Sequence, residues 1–234
     1  MTRSVLGNDE HPDLAARIAA ATALRELANA LVAHQASAAV LGRITVTADE
    51  LTAAVRAAPR RSRIDEAHTS PAYAEAIASG RLGDLPDDGT TCDLFHDSPV
   101  SGSANPAGVG LRISRDGAEA VGHVRIGPAF EGAPGRAHGG IVAACFDETM
   151  GGLLPIIETM AFTRSLTVEY HAPCPLDTDL EFRARLHHRH GRKLRIRAEA
   201  SAMGEVFAKS DALFIAIDLA AFRTKLGVTN PGGA

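Results

Sequence analysis

Tryptophan is absent from this sequence of 234 residues, tyrosine occurs twice and cysteine three times. The cysteines, Cys92, Cys145 and Cys174, are odd in number and do not pair as Cys-x-x-Cys, so neither a disulfide framework nor a zinc site is predicted. No run approaches the roughly 18 apolar residues that cross a bilayer, and the N-terminus carries no secretion signal. We therefore expect a soluble cytoplasmic protein that needs no metal or other cofactor.

An excess of positive charge is also missing, since 24 Lys and Arg residues stand against 28 Asp and Glu residues for a net charge of −4. General nucleic-acid and membrane-surface binders need a sustained basic excess, so neither kind of partner is expected. Hydrophobic residues make up 45% and charged residues 22%, as in an ordinary globular protein. The length allows one substantial domain with an extension, or two small domains.

Residues 1–90 are predicted to form a helical extension. A first helix is indicated by apolar residues at helical spacing, and a capping box of Thr47 and Glu50 predicts a second helix that starts there and ends near Ala58. A third helix is predicted from Ser70-Pro71 to about Gly80. The stripe of the first helix consists of Leu14, Ile18, Ala21, Leu24, Leu27 and Leu31.

Residues 91–234 are predicted to form a second unit, in which the hydrophobic period changes to two. Asp116-Gly117 indicates a hairpin between two strands, a helix follows from about His138 to Leu154, and four alternating strands end near Leu219. One helix against an antiparallel sheet gives two layers. We predict an α+β hotdog fold, a curved sheet wrapped around one long central helix. Small residues on that helix are expected to let the sheet approach closely: Gly139, Gly140, Ala143, Ala144, Gly151 and Gly152.

The candidate catalytic groups lie on this central helix, beginning with its first turn. Gly139 and Gly140 open it, so the first-turn N–H groups are predicted to be unpaired, accessible and aided by the helix dipole. Such a helix start suits the oxyanion that develops on a thioester carbonyl. Asp147 follows Gly140 by seven residues and returns to within about 20° of the same helix face, whereas Glu148 lies about 80° away. Asp147 is therefore the better candidate for the acid, and an exposed Asp–Glu surface pair is the alternative.

His138-Gly139-Gly140, followed after six residues by Asp147, resembles the signature of hotdog acyl-CoA thioesterases of the PaaI-like kind in the thioesterase superfamily. The resemblance covers about residues 92–219. It includes Asn105-Pro106-Ala-Gly108 before the first strand, Thr163 with the strand that follows it, and the hairpin Gly191-Arg192-Lys193.

The resemblance implies roles for these residues. Asp147 is expected to act as general base or nucleophile, the Gly140 N–H to polarise the carbonyl, His138 to shape the loop, and Thr163 to orient water or Asp147. Gly139 and Asn105 are expected to contact the substrate. Arg192 and Lys193 are expected to bind the phosphates of coenzyme A, with a solvated basic hairpin as the equal alternative. The nearby run His187–His190 predicts no metal site, because strand alternation divides its members between two faces.

The predicted function is hydrolysis of an acyl-CoA to a free acid and CoA. One alternative is a non-catalytic protein that binds acyl-CoA or an acyl carrier, and another is a protein whose N-terminal helices recruit a partner. Gly140 and Asp147 are about 10 Å apart along the helix axis, so one helix cannot place both on one carbon. We therefore predict a homodimer with shared sites, or a dimer of such dimers. The extension is expected to shield a sheet edge or a substrate entrance, and its removal to leave the β-rich unit folded.

Overall fold

The computed structural model describes residues 3–4, 13–62, 87–89, 91–93 and 95–218. Within them the helices are α1 (Leu14–Ala33), α2 (Ala38–Ala57) and α3 (Gly139–Ile156), and a short 3-10 turn, Pro128–Phe130, precedes α3. The strands are β1 (Arg3–Ser4), β2 (Thr91–Asp93), β3 (Arg112–Asp116), β4 (Glu119–Arg125), β5 (Ala161–Tyr170), β6 (Asp179–His190), β7 (Lys193–Ala202) and β8 (Glu205–Ala216).

All eight described strands form one sheet, in the order β1-β2-β3-β4-β6-β7-β8-β5. The predicted strands β3 to β8 pair antiparallel with their neighbours, and α3 packs across them. The predicted hotdog architecture is confirmed. The pair β1 and β2, which lies beyond β3, was not predicted, because segments of two and three residues are too short to show an alternating pattern.

The core forms between the sheet and one side of α3. Strand β7 alternates as predicted, with Leu194 and Ile196 buried and Arg195 and Arg197 exposed. Phe146 of α3 meets Phe182 of β6 edge to face, with ring centroids 5.1 Å apart. The largest fully buried side chains of α3 are Phe146, Met150, Leu153, Val142 and Thr149.

The small residues of α3 do not lie where the sequence interpretation placed them. Most of them share the opposite, partly exposed face of the helix with Asp147: Gly140, Ala143, Ala144 and Gly151. The side that packs on the sheet carries large side chains, because a well-packed core needs their volume. Gly152 is the buried exception, since a Cβ there would lie 2.6 Å from Cγ2 of Ile113.

Gly152→Ala is therefore expected to lower the free energy of unfolding by about 1–3 kcal/mol, the usual effect of overpacking a core. Gly42→Ala in α2 is the matched control, because a Cβ there meets nothing within 4 Å. That exposed change is expected to raise stability by about 0.5–1 kcal/mol through helix propensity. Urea unfolding measures the free energy of unfolding of both variants. Equal changes in the two variants would contradict a close contact between α3 and β3.

The N-terminal helices agree only in part with the predictions. Helix α1 forms where its apolar stripe predicted it. The predicted start of the second helix at Thr47 was wrong, because α2 begins nine residues earlier at Ala38, where the Ser37 hydroxyl accepts a hydrogen bond from the Val40 N–H. Thr47 and Glu50 lie inside that helix, so their spacing was not a cap. The predicted third helix lies outside the described residues, and the proposed boundary near residue 90 stays a prediction.

Candidate active site

The start of α3 is capped by its own preceding residue. His138 is the N-cap in an extended conformation, and its Nδ1 accepts a hydrogen bond from the Gly140 N–H at 3.0 Å. The predicted unpaired donor is therefore paired here, because the imidazole folds back over the first turn. Gly140 is nevertheless exposed. A substrate carbonyl that binds at this N–H must take the hydrogen bond from the imidazole.

Asp147 lies halfway along α3 on the partly exposed face. Its Oδ1 accepts a hydrogen bond from the Thr163 hydroxyl of β5 at 2.8 Å. Glu148 faces another part of the protein, where its Oε1 accepts a hydrogen bond from the hydroxyl of buried Ser101. The two carboxylates thus contact different elements and are not a solvated surface pair.

A bulge in β5 allows Thr163 to reach Asp147. Thr163 and Tyr170 are an odd number of residues apart, so a regular strand would place them on opposite faces. The pairing of β5 with β8 shifts register between Thr163 and Ser165, which returns both side chains to the face that meets α3. The Tyr170 hydroxyl donates a hydrogen bond to the Gly139 carbonyl at 2.6 Å. Strand β5 therefore holds α3 at its start and at Asp147.

Two contacts at this site were missed by sequence reasoning. Tyr170 received no role in the sequence analysis, although burial raises its pKa and its hydroxyl bonds the carbonyl of Gly139, the first residue of the helix. Ser101, which donates to Glu148, received no role either. The sequence did offer one signal for the Tyr170 contact. Tyr170 ends an apolar face of its strand, and the chain has only two tyrosines.

Asn105 shapes the loop before β3. Its Oδ1 accepts from the Ala107 N–H at 2.9 Å and its Nδ2 donates to the Asp97 carbonyl at 3.0 Å. The side chain is thus bonded to the backbone of its own loop, and the predicted substrate contact stays a prediction.

The basic hairpin between β6 and β7 lies at the same end of the sheet as Thr163. Arg192 donates from Nε to the Ala216 carbonyl at 2.8 Å, and Lys193 is exposed. Lys193 pairs with Ile215, which pairs with Phe162. Two strand spacings, about 10 Å, therefore separate the backbones of Lys193 and Phe162. Both residues belong to the outer face of the sheet, whereas Thr163 belongs to the face that meets α3.

Other polar groups of the described chain do not build a second centre of this kind. A depression of about 370 Å³ on the outer face of the sheet is lined by charged side chains that pair with one another, such as Arg197 with Asp211 at 3.0 Å. Among the described residues no group of three His, Cys, Asp or Glu side chains could hold a metal ion. Burial raises the pKa of the Cys145 thiol, as expected of a core residue that is not a nucleophile.

Part of the chain matches a known protein family. The segment 134–206, which includes His138, Gly140, Asp147 and Thr163, matches the family described as the thioesterase superfamily. The matched segment is less than a third of the chain and is similar to the domains of that superfamily. A crystal structure of a thioesterase superfamily protein is similar in fold to this chain, with a TM-score of 0.70, 22% identity, and coverage of 92% of this chain and 96% of the other.

The chain is also similar to the mouse (Mus musculus) acyl-coenzyme A thioesterase THEM4. The two are 33% identical over 91 residues, which are 38% of this chain and 39% of the mouse protein. The match thus spans well under half of that relative. In the described parts of the chain, none of the helices has the length and apolar character needed to cross a membrane.

Proposed function

We propose that this protein hydrolyses the thioester bond of an acyl-CoA and releases a free acid and CoA. The observation that carries the proposal is the position of Asp147. This carboxylate lies on the open face of α3 that begins at Gly140, and Thr163 fixes one of its oxygens. A carboxylate on a helix face of small residues is costly unless it is paired or used, and a simple acyl-CoA binder has no need of it there.

Asp147 acts as general base or as nucleophile. In the first case the oxygen that Thr163 does not bind takes a proton from water, and the water oxygen attacks the thioester carbon. The carbon–sulfur bond then breaks, and the thiolate of CoA leaves and takes up a proton. In the second case an oxygen of the carboxylate attacks the thioester carbon, the carbon–sulfur bond breaks and the thiolate of CoA leaves. Water then hydrolyses the resulting anhydride to the free acid and the Asp147 carboxylate. Both routes need a donor to the carbonyl oxygen as negative charge develops there.

The Gly140 N–H is the proposed donor, and the substrate carbonyl displaces its bond to His138. Because Gly140 and Asp147 of one helix are about 10 Å apart, we propose that each site takes Gly140 from one subunit and Asp147 from the other. The open face of α3 supports this pairing, since Gly140, Ala143, Ala144 and Gly151 leave room for a second helix. The proposed assembly is a homodimer, or two such dimers together.

The name of the mouse relative supports coenzyme A as the thiol. Arg192 and Lys193 are proposed to bind its phosphates, because their hairpin is basic, exposed and at the same end of the sheet as Thr163. Guanidinium and ammonium groups are the usual partners of phosphate oxygens.

The direct test is a panel of acyl-CoA substrates with acyl chains of different lengths, branching and aromatic content, followed by thiol release. Saturable release with at least one substrate is expected, with a kcat that depends on Asp147. CoA binding without thiol release from any member would overturn the hydrolase proposal in favour of an acyl-CoA binding protein. The same panel on an acyl-carrier protein distinguishes the two thiols.

Thr163→Val is expected to lower kcat about tenfold, because it removes a hydrogen bond to a charged group that positions the carboxylate. Thr163→Ser keeps the hydroxyl and is expected to retain most of the activity. Thr167→Val is the matched control, since Thr167 lies on the outer face of the same strand. Steady-state kinetics of the three variants checks this, and full kcat in Thr163→Val would contradict a positioning role.

A further inference from the structure

The N-terminal helix α1 is bonded to two of the loops that precede α3 in the chain. Arg25 donates from Nη1 to the carbonyls of Ser103 at 3.2 Å and Asn105 at 2.6 Å. Asn29, one turn later, accepts from the Ala129 N–H at 3.1 Å through Oδ1 and donates from Nδ2 to the Arg25 carbonyl at 3.0 Å. All of these bonds are partly buried, so water competes for them less than at an exposed surface.

Each of these two loops is in turn bonded to α3. Ala129 belongs to the turn Pro128–Phe130, and the Phe130 carbonyl accepts the backbone N–H of His138 at 2.9 Å. The other loop carries Ser101, which donates to Glu148. Asn29 is therefore linked through one short turn to the cap residue that holds the Gly140 N–H.

Gly127, just before the turn 128–130, shows how closely the Asn29 side chain approaches this turn. A Cβ at residue 127 would lie 2.3 Å from Oδ1 of Asn29. The backbone there, with φ −87° and ψ 176°, is an extended conformation open to any residue. Glycine is thus required at this position by the neighbouring side chain and not by the backbone.

We propose that Asn29 is a positioning residue for the active site, which holds the turn 128–130 and, through it, His138 and the Gly140 N–H. Arg25 supports the same helix from the other loop. The proposal rests on the proposed function for its effect on catalysis, and it makes α1 a part of the site instead of a separate module.

The test compares four variants of the full chain. Asn29→Ala is expected to lower kcat about threefold to tenfold, the size of effect of one ordinary hydrogen bond, with little change in KM. Asn29→Asp keeps an oxygen that accepts from Ala129 and is expected to retain most of the activity. Gly127→Ala is expected to act like Asn29→Ala, because its Cβ displaces the Asn29 side chain. Gln35→Ala, an exposed amide just beyond α1, is the control and is expected to change nothing.

The double variant Gly127→Ala with Asn29→Ala gives the sharpest result. Once the Asn29 side chain is gone, the added Cβ has nothing to displace, so the double variant is expected to be no slower than either single variant. Additive losses would overturn the proposed contact. A lower unfolding temperature for Asn29→Ala with an unchanged kcat for the folded protein would reduce Asn29 to a purely structural role and would also overturn it.

Hydrogen exchange separates failure of this proposal from failure of the proposed function. Exchange of the backbone amides of residues 129–140, measured by mass spectrometry without substrate, is expected to be faster in Asn29→Ala than in the wild type or Gln35→Ala. This measurement does not depend on catalysis, so it tests the positioning role of Asn29 even if the wild type hydrolyses no acyl-CoA. Unchanged exchange in Asn29→Ala would overturn the positioning role whatever the activity.

Discussion

Asp147→Asn is expected to lower kcat by about 100- to 10,000-fold, the usual contribution of a positioned acid or base. The amide keeps an oxygen that can accept from the Thr163 hydroxyl, so the side chain is expected to stay in place. What the substitution removes is the negative oxygen that takes a proton from water or attacks the carbonyl. The unfolding temperature is expected to change little, because Asp147 is only partly buried.

Glu148→Gln is the matched control on the same helix. It makes the same chemical change one residue away, on a side chain that contacts Ser101 instead of Thr163. Its effect on kcat is expected to be much smaller. Kinetics on the best substrate of the panel, with circular dichroism to check folding, measures both variants. Similar losses, or a larger loss in Glu148→Gln, would show that the wrong carboxylate has been assigned.

The sequence predicted the sheet and the central helix well because burial is repeated along these elements. In β7 every second residue faces α3. Buried Leu194 and Ile196 therefore alternate along the sequence with exposed Arg195 and Arg197. The hairpin at Asp116-Gly117 could also be predicted from adjacent residues alone, because Gly117 adopts φ +57°, a conformation that favours glycine. Features that repeat every two or four residues need no knowledge of distant parts of the chain.

The contacts that build the site depend on distant residues and were less accessible. The bulge after Thr163 alters which side chains of β5 meet α3, but a single extra residue leaves no period of its own. Asn29 and Ala129 are 100 residues apart in sequence, so no local pattern joins them. The cap on Gly140 was missed for a different reason. His138 was noted as a loop residue, but whether its imidazole turns toward the helix is set by side-chain geometry.

The prediction of shared sites follows from distance within α3. Gly140 and Asp147 share a face, yet about 10 Å separates them along the axis, whereas a reacting carbonyl must lie about 3 Å from its donor and from the base or its water. A two-fold axis between two α3 helices would bring Gly140 of one subunit opposite Asp147 of the other and create two identical sites. We therefore expect no active monomer.

Complementation between two inactive variants tests this directly. Asp147→Ala removes the carboxylate, and Gly140→Pro removes the N–H donor at a first-turn position where proline is tolerated. Each variant alone is expected to be nearly inactive. If the two are unfolded, mixed in equal amounts and refolded, a mixed dimer combines Gly140 of the first chain with Asp147 of the second. It regains one intact site, while its other site carries both lesions.

With random pairing, half of the dimers are mixed and each has one active site of two, so about a quarter of wild-type activity is expected to return. The two variants refolded separately and then assayed together form the control and are expected to recover no activity while subunits do not exchange. Native mass spectrometry measures the fraction of mixed dimers. Mixed dimers without recovered activity would mean that each site is built within one chain. In that case the donor to the carbonyl must be sought near Asp147 itself, and the small-residue face of α3 would need another explanation.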